Sequence, residues 1–430
     1  MLTAQHPARG ANPVLFRVFP AGFGAALALG GLAGEAEASG FIEDSSLKLQ
    51  TQNIYFNRDF RDGAGQSKRE EWAQGFILDF QSGYTDGTVG VGLDALGMLG
   101  LKLDSSPDRT GSGLLPTHDD GRAADEYSKL GLTAKFKVSQ TELKLGSLIP
   151  DLPTLQPNDS RLFPQIFEGG LLESRDLPGL TFTGGRLEKA IDRDSTDAQD
   201  LALNNKNKRF TGSVAGEHYD LAGGDYKFDE HFTGRYHYAE LDEVYRQHFV
   251  GLLSSHKLGD GKLTTDWRLA ISDDDGAARG GRIDNRAFNA MLGYAIGASK
   301  FSVGWQQMDG DSAFPYIDGS NPYLVNFVQV GDFAETRERS WQLRHDFDFA
   351  VFGLPGLTLM NRYLKGDNAE INGRAGEGRE WERDTDLKYV VQSGPLKDFG
   401  VRLRNATYRS NFARNADETR VYLTYSLAIW

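Results

Sequence analysis

The chain has 430 residues, a formal net charge of -13, 39% hydrophobic and 11% aromatic residues, 51 glycines and no cysteine. Without cysteine there is no disulfide, thiolate metal site or cysteine nucleophile, and the acidic balance argues against a nucleic-acid partner. The low apolar fraction is thin for a large dry core but suits strands that are apolar on one face only.

At the start of the chain, Arg9 and Arg17 precede an apolar stretch from Phe19 to Gly34, followed by Ala36-Glu37-Ala38. A basic region, a short apolar run and a small-x-small site together read as a secretory signal over residues 1–38, cleaved after Ala38. The run is shorter than the ~20 apolar residues a spanning helix needs. No Pro/Ser linker, like-charge block or change of hydrophobic period follows, so 39–430 reads as a single domain.

Alternating segments then begin near residues 46, 73, 88, 128, 140, 180, 209, 218, 231, 244, 263, 286, 299, 339, 356, 381, 398 and 419, which makes eighteen. Segments of this kind, separated by turn residues, predict an all-β fold: a transmembrane antiparallel β-barrel with both termini on one side of the membrane. Short links such as Asp220 to Gly224 and Leu258 to Lys262 alternate with long polar ones, among them Asp104 to Glu126, Asp309 to Glu338 and Gly366 to Glu380. The short links suit the periplasmic side and the long ones the exterior. The segment 149–177 breaks the rhythm with four prolines. In so wide a barrel it is expected to fold inward as the third loop and constrict the lumen, proline lowering the entropic cost of a fixed shape.

In the last strands the two parities differ sharply. Trp341, Leu343, His345 and Phe347 oppose Gln342, Arg344, Asp346 and Asp348; Leu387 and Tyr389 oppose Asp386 and Lys388; Val401 and Leu403 oppose Arg402 and Arg404; Val421 and Leu423 oppose Arg420 and Tyr422. With a period of two, the apolar set faces lipid and the charged set the lumen. Arg344, Lys388, Arg402, Arg404 and Arg420 thereby gather on one interior wall, and Arg362 joins them by parity. Such a wall suits passing anions; the plainer reading is that its arginines only pair with Asp346, Asp348, Asp384 and Asp386. The eight histidines lack metal-ligand spacing, Asp273-Asp274-Asp275-Gly276 reads as an acidic loop tip, and neither a phosphate-binding glycine loop nor a G-x-S-x-G elbow occurs. No enzyme activity, metal or cofactor is expected.

Several motifs in order, Gly40-Phe41-Ile42-Glu43-Asp44-Ser45-Ser46, Tyr55-Phe56-Asn57-Arg58-Asp59, Asp159-Ser160-Arg161-Leu162-Phe163-Pro164-Gln165, Tyr245-Arg246-Gln247, Ser340-Trp341-Gln342 and Tyr389-Val390-Val391-Gln392-Ser393-Gly394-Pro395, resemble the OprD family of outer-membrane carboxylate channels. The resemblance runs from about Gly40 to Ile429. It implies an eighteen-stranded barrel with an inward third loop, a basic ladder along the pore, uptake of small carboxylate-bearing nutrients, and residence in the outer membrane of a Gram-negative bacterium. Lipid, the barrel-assembly machinery and the substrate are the implied partners, with the chain a monomer or weak trimer. Carried over by residue, the ladder is Arg58, Lys388, Arg402, Arg404 and Arg420, and the eyelet is Ser160 and Arg161 on the inward loop with Asp332 opposite. Val330 stands where basic-amino-acid members often have tyrosine, and Ser320 replaces a second acidic position, while Arg193-Asp194-Ser195-Thr196-Asp197 is similar to the subfamily that takes aromatic and other simple carboxylates. Trp430 falls one residue off the lipid-facing register that usually carries a terminal aromatic. The competing readings are a general diffusion porin, a soluble secreted all-β binding module of propeller or sandwich type and, with no motif to support it, a barrel enzyme.

Overall fold

Period-two alternation builds the strands of the described residues into one antiparallel sheet. The computed structural model describes residues 39–212 and 214–430, so the expected signal segment lies outside the described residues. After a single helical turn, Ser39–Glu43, come β1 (Ser46–Phe60), β2 (Lys68–Gln81), β3 (Gly90–Asp104), β4 (Glu126–Val138), β5 (Thr141–Leu148), β6 (Ile166–Ser174), β7 (Leu180–Ile191), β8 (Ala198–Asp200) and β9 (Tyr219–Lys227). The second half carries β10 (Phe232–Leu241), β11 (Tyr245–Leu258), β12 (Gly261–Asp274), β13 (Asp284–Ile296), β14 (Ser299–Gly310), β15 (Arg339–Asp348), β16 (Leu357–Ala369), β17 (Gly378–Val390), β18 (Gly400–Ser410) and β19 (Ala416–Ala428). β8 pairs only with the end of β7, which also pairs with β9, so eighteen strands form the wall. The barrel closes where β1 meets β19, from Lys48↔Ala428 to Phe60↔Ala416.

The parity expected for the last strands is the parity observed. Leu343, Leu387, Val401, Leu403 and Leu423 are exposed on the outer surface, where lipid would cover them, while Gln342, Asp386 and Arg420 are buried inside. Trp430 lies beyond the end of β19, its indole N–H donating to Ser45 Oγ at 3.1 Å.

Two strand assignments differ from the sequence reading. The stretch near 209 is an irregular segment with a 3-10 turn at Lys206–Lys208, and the expected link Asp220 to Gly224 lies inside β9. Conversely, β6 occupies Ile166–Ser174, within the segment 149–177, so the irregular loop there spans 149–165. The Gly169-Gly170 pair interrupts the apolar alternation of β6 and hides it among prolines.

The longest links, 105–125, 149–165, 192–218 and 311–338, all leave from one end of the barrel; links such as 139–140, 259–260 and 297–298 turn at the other. The long links do not simply project outward. Segment 149–165 folds into the lumen after β5, and 311–338 folds in to meet both it and 192–218: Gln156 bridges Asn321, Gln165 Nε2 donates to the Asp318 carbonyl at 2.9 Å, and Leu203 of 192–218 bridges Ile317. Apolar clusters form between loops and wall, one around Phe56, Leu114, Leu162 and Phe163, another around Leu155, Phe167, Leu203 and Ile317. Two wall glycines make the approach possible. A Cβ on Gly75 would stand 2.8 Å from Leu162 Cγ, and one on Gly366 would stand 2.9 Å from a ring carbon of Phe333.

Candidate functional site

Strand register sets the site. Residues directly opposite in an antiparallel pair share a face. On this side of the barrel the register places Arg58 opposite Arg69, Lys388 opposite Arg402, Arg404 opposite Arg420, and Arg344 opposite Arg362. Like charges so placed are unfavourable by roughly 0.2–1 kcal/mol per pair unless neutralised. Acidic neighbours neutralise part of the wall. Glu418 pairs with both Arg58 and Arg420, Asp384 with Arg362 at 2.6 Å, Asp346 with Arg344 at 2.7 Å, and Asp386 with Arg402. Asp348 instead caps Ala350 N at 2.9 Å.

Pairing does not exhaust the cations. Arg404 approaches Asp386 only at 3.4 Å and its Nε has no hydrogen-bond partner. Among the described residues, Lys388, Arg69, Arg161 and Arg193 have no carboxylate within ion-pair distance.

These groups line a succession of cavities. One of about 480 Å³ near the long-loop end is walled by Arg58, Arg69, Arg161, Arg193, Arg362, Arg404 and Arg420, with Asp194 and the segment Phe327–Val330 completing it. A second, of about 470 Å³ toward the short-turn end, is lined by Gln50, Gln52, Lys388, Arg402, Arg404 and Tyr422. Asp159, Ser160 and Arg404 border both, which makes them the neck. Beyond it, Lys388 and Arg402 also border a third space with Arg344 and Asp346.

The neck is rigid because many bonds converge on it. Asn158 Oδ1 accepts from Ser160 N at 2.9 Å and Ser160 Oγ at 2.6 Å, closing a turn. Arg161 Nε donates to the Ser112 carbonyl at 2.6 Å, and its guanidinium lies 4.7 Å from the centre of the Phe56 ring. Burial, followed by the nearby Arg420 and Arg193, lowers the Arg161 pKa, with Glu418 acting against the shift. Arg420 is only 2% exposed and donates to Ser160 O at 3.3 Å and Gln329 O at 3.1 Å, thereby joining the two inward segments.

Asp332 departs from its expected place. It is 2% exposed and borders neither cavity of the passage. Arg209 meets it with two nitrogens at 2.6 and 2.8 Å, Lys206 Nζ lies at 3.0 Å, and Tyr316 donates to it at 3.0 Å. Burial alone would raise its pKa; Arg209 first, then Lys206, holds it well below the usual carboxylate range. The carboxylate is consumed inside the fold of 311–338, and Gln329 and Val330 border the outer cavity in its stead.

Sequence reasoning passed over Arg69, Arg193 and Asp159. Arg69 is visible only once β1–β2 register is known; Arg193 and Asp159 sat inside quoted motifs without an assigned part.

The profile of the family described as outer membrane porin, OprD family, matches residues 39–429. The porin-like protein GalP of Pseudomonas putida is 39% identical over 92% of this chain and 95% of its own length. Two crystal structures from Pseudomonas aeruginosa superpose over 91% of this chain and all of theirs: OccK5 (OpdH), at 58% identity and a TM-score of 0.83, and OpdK with vanillate, at 43% and 0.86.

Proposed function

The chain belongs to the OprD family of outer-membrane porins, and from that premise we propose that it admits small carboxylates along the cationic wall from Arg58 to Lys388. That it is an outer-membrane channel of a Gram-negative bacterium follows from the family and the barrel. The carboxylate path and the parts of Arg58, Ser160, Arg161, Arg344, Arg362, Lys388, Arg402, Arg404 and Arg420 in it are this proposal.

The observation that carries the reading is the set of cations left free or loosely held on both sides of the neck: Arg69, Arg161 and Arg193 above and Lys388 below without an acid partner, and between them Arg404, which reaches Asp386 only at 3.4 Å. An entering anion loses part of its hydration, and arginine offsets the loss with a planar fork of donors that meets both carboxylate oxygens. Acid partners on the intervening cations keep the wall from binding too tightly, and conduction needs sites weak enough to leave. Opposed strands supply cations in pairs, so an anion released by Arg404 finds Arg402 and Lys388 next. The neighbour solved with vanillate, a carboxylate, supports the same chemistry for this chain.

A general diffusion porin would sort solutes by size alone. The neck, braced by Arg420 between two interlocked segments, favours selection. Uptake into liposomes of matched carboxylates and uncharged analogues tests this: carboxylates are expected to enter faster, and Arg404→Ala is expected to remove most of the advantage. Equal rates for charged and uncharged solutes of one size would sink the proposal.

A further inference from the structure

Asp159 is an anomaly for an anion path. It is exposed in the neck, borders both cavities beside Arg404, and among the described residues makes no hydrogen bond or ion pair. Its neighbours do the anchoring. Asn158 closes the turn onto Ser160, Gln165 N donates to the Asn158 carbonyl at 3.2 Å, Arg161 is tied to Ser112 O, and Arg420 reaches Ser160 O. The backbone on either side is held by other side chains, so the carboxylate of Asp159 is not needed to shape the loop.

A carboxylate where the two cavities meet opposes every anion that passes, by Coulomb repulsion only partly screened in a confined lumen. In return it offers an acceptor that no other group at the neck duplicates: Ser160 Oγ is already engaged by Asn158 and Arg161, and Arg404 only donates. We infer that Asp159 is a specificity-determining residue that favours monocarboxylates carrying a hydroxyl next to the carboxylate. This rests on the carboxylate path proposed above. With the substrate carboxylate on Arg404, a neighbouring hydroxyl donates to Asp159, and the charge-assisted bond offsets the repulsion. A plain carboxylate meets the repulsion without the bond, and a dicarboxylate meets it twice. A neutral hydroxyl suits the place better than an ammonium, because Arg402, Arg404 and Lys388 would repel a second cation.

Lactate and propionate differ by this hydroxyl and little else. In liposomes containing the wild-type protein, lactate is expected to enter about threefold faster than propionate, the part of a charge-assisted bond that survives in a wet lumen. Asp159→Glu is expected to keep the preference. Asp159→Ala is expected to abolish it while raising the propionate rate and shifting the reversal potential in a salt gradient further toward chloride. Heat-modifiable migration on a gel confirms that each variant is folded. A lactate-to-propionate ratio unchanged in Asp159→Ala, or equal rates in the wild type, would overturn the role of Asp159 and leave the carboxylate path standing. Wild-type liposomes that admit neither acid would overturn the path itself.

Discussion

The two segments that fold into the barrel each carry an aspartate, and the two aspartates live in opposite surroundings. Asp332 on 311–338 is sealed from water and gripped by Arg209, Lys206 and Tyr316, while Asp159 on 149–165 stands exposed at the neck with its backbone held by others. A buried charge that has found its partners belongs to the scaffold; an exposed one held in place by its neighbours is available to a solute. The same division runs through the cations. Arg209 and Arg420 spend their donors on protein, whereas among the described residues Lys388 and the Nε of Arg404 donate to no protein group.

The hardest test of that division is Asp332→Ala. Removing the carboxylate strands the fully buried Arg209 beside Glu335 alone, and breaking such a pair costs about 3–5 kcal/mol. The barrel is expected to assemble, but 311–338 should leave its place, raising single-channel conductance and exposing the segment to protease in folded protein. A quiet channel of wild-type conductance would show that the scaffold half of the comparison is misassigned.

On the wall, adjacent residues separate the two kinds of position. Leu403→Arg puts a charge toward lipid at a cost of about 2–4 kcal/mol near the midplane, and the yield of heat-modifiable barrel should fall. Arg402→Ala, one residue away and facing inward, should insert normally. If the phenotypes were exchanged, the inside and outside of the barrel would be the reverse of those described.

Arg404→Ala removes a cation that the fold uses little. Carboxylate flux is expected to fall several-fold, with assembly and thermal stability unchanged; losing one charge-assisted contact, softened by lumen water, is worth on the order of 1 kcal/mol. Arg420→Ala should differ in kind, loosening both inward segments and raising conductance to uncharged solutes as well. Similar behaviour of the two variants would erase the distinction between passage and scaffold.

The smallest effect concerns pH. Asp332 has a folded pKa depressed below the unfolded value of roughly 3.9, so its contribution is fully present above that value and is lost as pH falls through the lower folded one. Conductance and noise should therefore stay flat from about pH 8 to pH 5 as far as Asp332 is concerned. Opening of the channel near pH 6 would show that some other group holds the segment.

Local alternation made the wall legible from sequence, since lipid outside and water inside impose a period of two on every spanning strand. The count of eighteen emerged even though β6 was hidden and a false strand was read near 209. The Gly169-Gly170 pair and nearby prolines concealed the first; an apolar pattern that serves loop packing mimicked the second. Lumenal parity was equally readable for Lys388, Arg402, Arg404 and Arg420, because parity is local. The fate of Asp332 was not. Arg209, which neutralises it, lies 123 residues away on a different loop. Only the folded chain shows which charges have been used up.

The seam between β1 and β19 gives the passage a position in the folding sequence. Arg58 and Glu418 meet across that seam at a separation of 360 residues, and Arg420 on the closing strand is the brace of the neck. Contacts so remote along the chain are slow to form, because the entropy of closing the loop is lost before the contact returns anything. The conducting path is therefore completed only when the last strand docks on the first. An incompletely closed sheet in the membrane lacks the brace and has no formed constriction, so the quality of the filter and the completion of the barrel are decided in one event.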